Sequence, residues 1–110
     1  MALHELKNKV YIDFSIIENS DKELLKIEFS YLIGLNTFII IWSKDTSLDD
    51  MLAYCIKYEL TDYIWDYKIK DSSIYSAVDF IIDPDKKLVD MFIRNGKRAN
   101  CITKLENNNG

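Results

Sequence analysis

The chain has no excess of basic residues, no long apolar run and no cysteines spaced as metal ligands, and each absence removes a class of function. Its 14 lysine and arginine residues are scattered among 18 acidic ones, giving a formal charge of −4 and a pI near 4.9. Binding to a phosphate backbone wants clustered cations, so no nucleic-acid partner is expected. The apolar runs fall far short of the roughly 20 residues that cross a bilayer. The start MALHELKNK has no apolar segment of the signal-peptide kind. A cytoplasmic protein without membrane association is the expectation. Cys55 and Cys101 read as buried, reduced thiols, and the single histidine, His4, reads as a surface residue in a polar stretch.

What is present suits one α/β domain. The 110 residues are 48% hydrophobic and 13% aromatic, enough to fill a single core, and neither a repeat nor a linker divides them. The domain is expected over 1–105, with a polar tail at 106–110. VYIDF (10–14) is continuously apolar up to Asp13, as a strand buried on both faces would be. Ser20, with Glu23 three residues on, predicts a helix cap, and Gly34 closes the segment that follows. TFIIIW (37–42) is the strongest strand signal. Ser47 and Asp50 predict a second cap, for a helix over about 48–59 with Leu48, Met51, Leu52, Cys55, Ile56 and Leu60 on one apolar face. YIWDY (63–67) and AVDFII (77–82) read as strands. Asp83-Pro84 starts a third helix that Asn95-Gly96 stops, and ANCIT (99–103) reads as the last strand.

Strands alternating with helices over short connections imply a mostly parallel sheet covered on both sides. The ligand crevice of such a sheet lies beyond the carboxyl ends of its strands. Standing there are Asp13 and Ser15, then Ser43, then Lys68 and Lys70, then Asp83 and Asp85. Each has a plain structural reading as well. Asp13 and Ser43 can simply end strands, Asp83 can cap a helix, and the lysines can be solvated surface charges. The aromatics Trp42, Tyr63, Trp65 and Tyr67 read as core or sheet-edge packing.

A carboxylate, a hydroxyl, a lysine and a second carboxylate in that order resemble the haloacid dehalogenase-like (HAD-like) superfamily, whose members are mostly magnesium-dependent phosphatases. The resemblance runs from Lys9 to about Ile102. It implies a three-layer, Rossmann-like fold with a mostly parallel sheet of four or five strands and no cap domain. By the same resemblance Asp13, in KVYIDFS, is the nucleophile that becomes an aspartyl phosphate. Ser43, in FIIIWS, holds a phosphate oxygen, and Lys70, with Lys68 as alternate, neutralises nucleophile and phosphate. Asp83, in DFIIDPD, holds Mg²⁺ together with Asp13 and the main-chain carbonyl of Ser15, and Asp85 is a second acidic candidate. The chemistry is coherent in itself. Phosphoryl transfer needs an oxygen nucleophile in line and spreading negative charge neutralised, and a hard cation that keeps several waters needs few protein oxygens.

The departures are as informative. The family's phosphatases carry a second Asp two positions after the nucleophile, then Gly-Thr, where this chain has Ser15, Ile16 and Ile17. That Asp is the general acid and base, a role worth about 10²–10⁴-fold, and a serine hydroxyl does not replace it. A β-branched residue in place of the glycine implies a different turn. The implied function is a Mg²⁺-dependent phosphohydrolase or a weakened relative, acting on a phosphorylated substrate or with a protein partner over an open site. The alternative is a non-catalytic binding or regulatory module on the same fold. A phosphate-accepting receiver domain fits less well, because no acidic cluster precedes Asp13.

Overall fold

The computed structural model describes residues 8–106. Five strands form one all-parallel sheet: β1 (Asn8–Asp13), β2 (Thr37–Ser43), β3 (Asp66–Ile69), β4 (Phe80–Asp83) and β5 (Arg98–Cys101). Their spatial order is β3-β2-β1-β4-β5. Helices α1 (Phe14–Asn19), α2 (Lys22–Gly34), α3 (Leu48–Lys57) and α4 (Lys86–Arg94) occupy the connections, with 3₁₀ turns at Thr61–Tyr63 and Ser72–Ala77. This is a small α/β, Rossmann-like domain.

Alternation along the central strands builds two cores. Val10, Ile12, Ile39 and Ile41 face α1, α2 and α3, meeting Ile16, Ile17, Leu25, Phe29 and Met51. Tyr11, Ile40, Trp42 and Ile81 face the other way, onto Val89 and Phe92 of α4 and the Ser72–Ala77 turn. Central strands apolar on both sides are what a sheet covered by helices requires. The described residues make up this sheet and its covering helices, and none of them forms a cap domain.

Several expected boundaries move. The first strand ends at Asp13, and Phe14 already begins α1, so no glycine turn is needed before Ile16. The predicted first helix is two helices. Asp21, not Ser20, caps α2 through the amides of Glu23 and Leu24, while the Ser20 hydroxyl donates to the Ile16 carbonyl and accepts from Leu105 N–H at 2.8 Å. With Asp21 N–H also bonded to the Leu105 carbonyl at 2.9 Å, the chain after β5 is tied down at Leu105, the last residue expected to belong to the domain. The third strand lies three residues later than YIWDY, because the Thr61–Tyr63 turn occupies its start and Trp65 is left exposed, stacked on Phe38. Helix α4 begins at Lys86 and is capped by Asp85, which frees Asp83 from that role. On α3 only Met51 and Cys55 of the apolar set are buried, with Leu60 just beyond it, whereas Leu48, Leu52 and Ile56 face outward. Cys55 is buried as expected, but Cys101 is exposed because β5 is an edge strand. His4 lies outside the described residues. No helix among the described residues is long and apolar enough to cross a membrane.

Candidate functional site

The strand order turns back at β1. β2 and β3 lie to one side of it, β4 and β5 to the other, and such a switch point opens a crevice at the carboxyl ends. Tyr11 and Ile12 are in register with Ile81 and Ile82, so the next residue along β1, Asp13, and the next along β4, Asp83, end at the same level. Lys70 follows β3, and its N–H bonds the Ser43 carbonyl at 2.8 Å, anchoring it at the end of β2. From there its side chain reaches toward the ends of β1 and β4. The Nζ passes 5.5 Å from the Trp42 ring, ion-pairs with Asp13 Oδ1, and reaches Asp83 Oδ2 at 2.7 Å.

The three side chains are well sheltered, with exposures of 14% for Asp13, 10% for Lys70 and 1% for Asp83. The remaining carboxylate oxygens are also engaged. Asp13 Oδ2 accepts from Ser15 N–H at 3.1 Å and from the Ser15 hydroxyl, and Asp83 Oδ1 accepts from Asp85 N–H at 2.9 Å. Burial tends to discharge Lys70, but its hydrogen bonds to the two carboxylates outweigh that and raise its pKa. Burial raises the pKa of the Asp83 carboxyl, and the contacts with Lys70 and Asp85 N–H do not fully offset it. Burial is thus the dominant influence on Asp83, with the nearby Asp13 carboxylate adding to it.

No family model, curated protein or solved structure matches the chain. The site is thus argued from its own geometry. Asp13, Ser15, Lys70 and Asp83 meet in one cluster, and Ser43 ends the strand beside them. Of the two candidate lysines, Lys70 joins this cluster. Lys68 points elsewhere, to Asp66 at 3.6 Å. The Ser43 oxygen accepts from the amides of Asp45 and Thr46 at 3.2 and 3.0 Å, so it braces the turn leading to α3. Asp85 directs its carboxylate at the amides of Lys87 and Leu88.

Two supporting residues were not read as part of the site: Trp42, which reads from the sequence only as packing, and Tyr75, which it does not single out. Trp42 floors the path of Lys70, with Tyr11 and Tyr75 packed on it at 4.8 and 5.7 Å between ring centroids. The packing reading of Trp42 is borne out by its burial, its place next to Ser43 was the further signal, and Tyr75 had none. Among the described residues no three His, Cys, Asp or Glu side chains are grouped to hold a metal. Two carboxylates remain, a set that suits an ion content with few protein oxygens, such as Mg²⁺, and no ion that needs nitrogen or sulfur.

Proposed function

We propose that the Asp13–Lys70–Asp83 cluster is a phosphoryl-transfer site of HAD-like type, working slowly on phosphorylated substrates in the cytoplasm. The observation that carries this reading is the convergence of a nucleophile candidate, a cation and a second carboxylate, from three separate strand ends, at the switch point of a parallel sheet. In this reading Asp13 attacks phosphorus, the bond to the leaving oxygen breaks as the aspartyl phosphate forms, and water then hydrolyses that acyl phosphate to inorganic phosphate and the free carboxylate. Lys70 stays charged through the reaction and holds Asp13 in place while neutralising the oxygens that gather negative charge. Asp13, Asp83 and the Ser15 carbonyl would hold Mg²⁺, which when bound supplies positive charge to the phosphoryl oxygens.

Ser15 limits the rate. Its hydroxyl donates to the Asp13 carboxylate, which spreads the nucleophile's charge, and it has no acidic proton to give a leaving oxygen. Acyl or aryl phosphates, whose leaving groups need little protonation, should therefore be cleaved with Mg²⁺ while alkyl phosphates are nearly inert. Ser15→Asp should raise alkyl phosphate hydrolysis by up to about 10²–10⁴-fold, the range of general acid catalysis. Asp13→Asn should abolish turnover of p-nitrophenyl phosphate and acetyl phosphate alike. Brisk wild-type hydrolysis of an alkyl phosphate would overturn the missing-acid argument, and activity that survives Asp13→Asn would remove the nucleophile.

The same contacts favour a second reading, a non-catalytic module on this fold. Both Asp13 oxygens and the Ser43 oxygen are already occupied within the chain, which suits a settled structural cluster. Absence of turnover with every phosphate class, in wild type and Ser15→Asp, supports that reading.

A further inference from the structure

Helix α3 carries two neighbouring stripes that the fold leaves uncovered. Leu48, Leu52 and Ile56 recur every fourth residue and are 44%, 39% and 60% exposed. Beside them run Asp49, Ala53 and Lys57, also exposed and also four apart. Residues four apart stack along one side of a helix, so the first stripe is apolar and the second reads acid, alanine, base. Asp49 has no ion pair among the described residues. The Lys57 ammonium rests over the Tyr58 ring at 5.3 Å.

We propose that this face of α3 is a self-association surface, on which a second copy of the chain lays its own α3 antiparallel across a two-fold axis. The register follows from the spacing. With the axis near Leu52 and Ala53, Leu48 meets the partner's Ile56 and Leu52 meets the partner's Leu52. In the same register Asp49 meets the partner's Lys57 and Ala53 meets the partner's Ala53. In an antiparallel pair with such an axis, each flank of one helix faces the same flank of the other, so both stripes are satisfied together. A parallel pair would instead bring opposite flanks together and set the apolar stripe of each copy against the charged stripe of the other. The match of stripe to stripe thus selects the antiparallel arrangement, and the small Ala53 lets the two backbones approach.

The helix is about 15 Å long at 1.5 Å per residue, too short to bury the roughly 800 Å² per partner of a standard interface. Association should be weak and reversible. Sedimentation equilibrium on the full chain, from micromolar to millimolar, should show the average mass rising from 12.9 kDa toward twice that value. Leu52→Asp should raise the dissociation constant on the order of tenfold or more, as expected for a central contact. Asp49→Lys and Lys57→Asp should each weaken the dimer, and the double exchange should restore it, because each acid again faces a base. Circular dichroism checks that each variant remains folded. A monomer at every concentration overturns the proposal. So does a dimer indifferent to Leu52→Asp, or a double exchange no tighter than the single variants.

Discussion

Lys70 is the residue on which the site depends. Its ammonium is the charge shared by Asp13 and the nearly inaccessible Asp83, so removing it leaves two sheltered carboxylates facing each other. Breaking a buried pair on one side costs about 3–5 kcal/mol. Lys70→Met should lower unfolding stability by that order in urea melts without divalent ions. Lys68→Met is the control: its pair with Asp66 is nearly half exposed on both sides and should matter by less than about 1 kcal/mol. Equal effects at the two positions would show that Lys70 is not an interior charge. Cys55 provides a pH test. Burial pushes its thiol from 9.0 up to about 11, against the opposing influence of its neighbours Tyr67 and Lys22. The Tyr67 hydroxyl lies close enough to couple to that thiol, yet it is buried with no hydrogen-bond partner. A folded pKa above the unfolded one gives stability that is complete below the unfolded value and is lost as pH climbs through the folded value. Between about pH 9 and 11, wild type should therefore lose more stability than Cys55→Ala, by about 2–3 kcal/mol. Parallel pH profiles for the two proteins would mean that Cys55 does not ionise differently in the fold.

Elements were legible where periodicity and propensity agreed. β2 is a run of β-branched and aromatic residues with a serine at its end, and Ser47 caps α3 as its spacing predicts. The lysine and the carboxylates of the cluster were legible because strand ends in a parallel sheet point one way, so finding the strands brought these residues together. Propensity failed at the margins. Tyr63, Ile64 and Trp65 have strand-like side chains, but β3 pairs with β2 only from Asp66, opposite Ile40. The cap of α2 fell to Asp21 because Ser20 was engaged by Leu105, a contact between distant parts of the chain that no local pattern reveals. Lys97 was hidden for the same reason. Its ammonium gathers the carbonyls of Tyr75, Ser76 and Val78 at 2.8, 2.9 and 2.7 Å, latching the Ser72–Ala77 turn that connects Lys70 to β4. Lys97→Met removes three charge-assisted hydrogen bonds and should cost about 1–3 kcal/mol. Hydrogen exchange should rise at residues 74 and 78, whose amides hold that turn, more than in β1 or β2. A uniform rise would mark a general loss of stability and no latch.

At the scale of the whole molecule, the charge of the cluster becomes a property of folding. Asp13, Lys70 and Asp83 come together only when β1, β3 and β4 take their places in the sheet, so a cation that binds among them binds the folded chain and not the unfolded one. Such binding raises stability by RT ln(1 + [L]/Kd), about 1.4 kcal/mol at ten times Kd. For a domain of this size that is a rise of several degrees in Tm. Three proteins separate this effect from nonspecific salt. In wild type, Lys70 already neutralises one of the two carboxylates, so the Mg²⁺-dependent rise should be moderate. In Lys70→Met the carboxylates face one another without a cation, and Mg²⁺ relieves more repulsion, so the starting Tm should be lowest and the rise largest. In Asp13→Asn one ligand and one partner of Lys70 are gone, so the starting Tm should fall below wild type and the rise should shrink. Melts across a Mg²⁺ titration at constant ionic strength would reveal that order. Curves flat in Mg²⁺ for all three proteins would leave the cluster as an internal ion pair, and would shift the balance to the non-catalytic module.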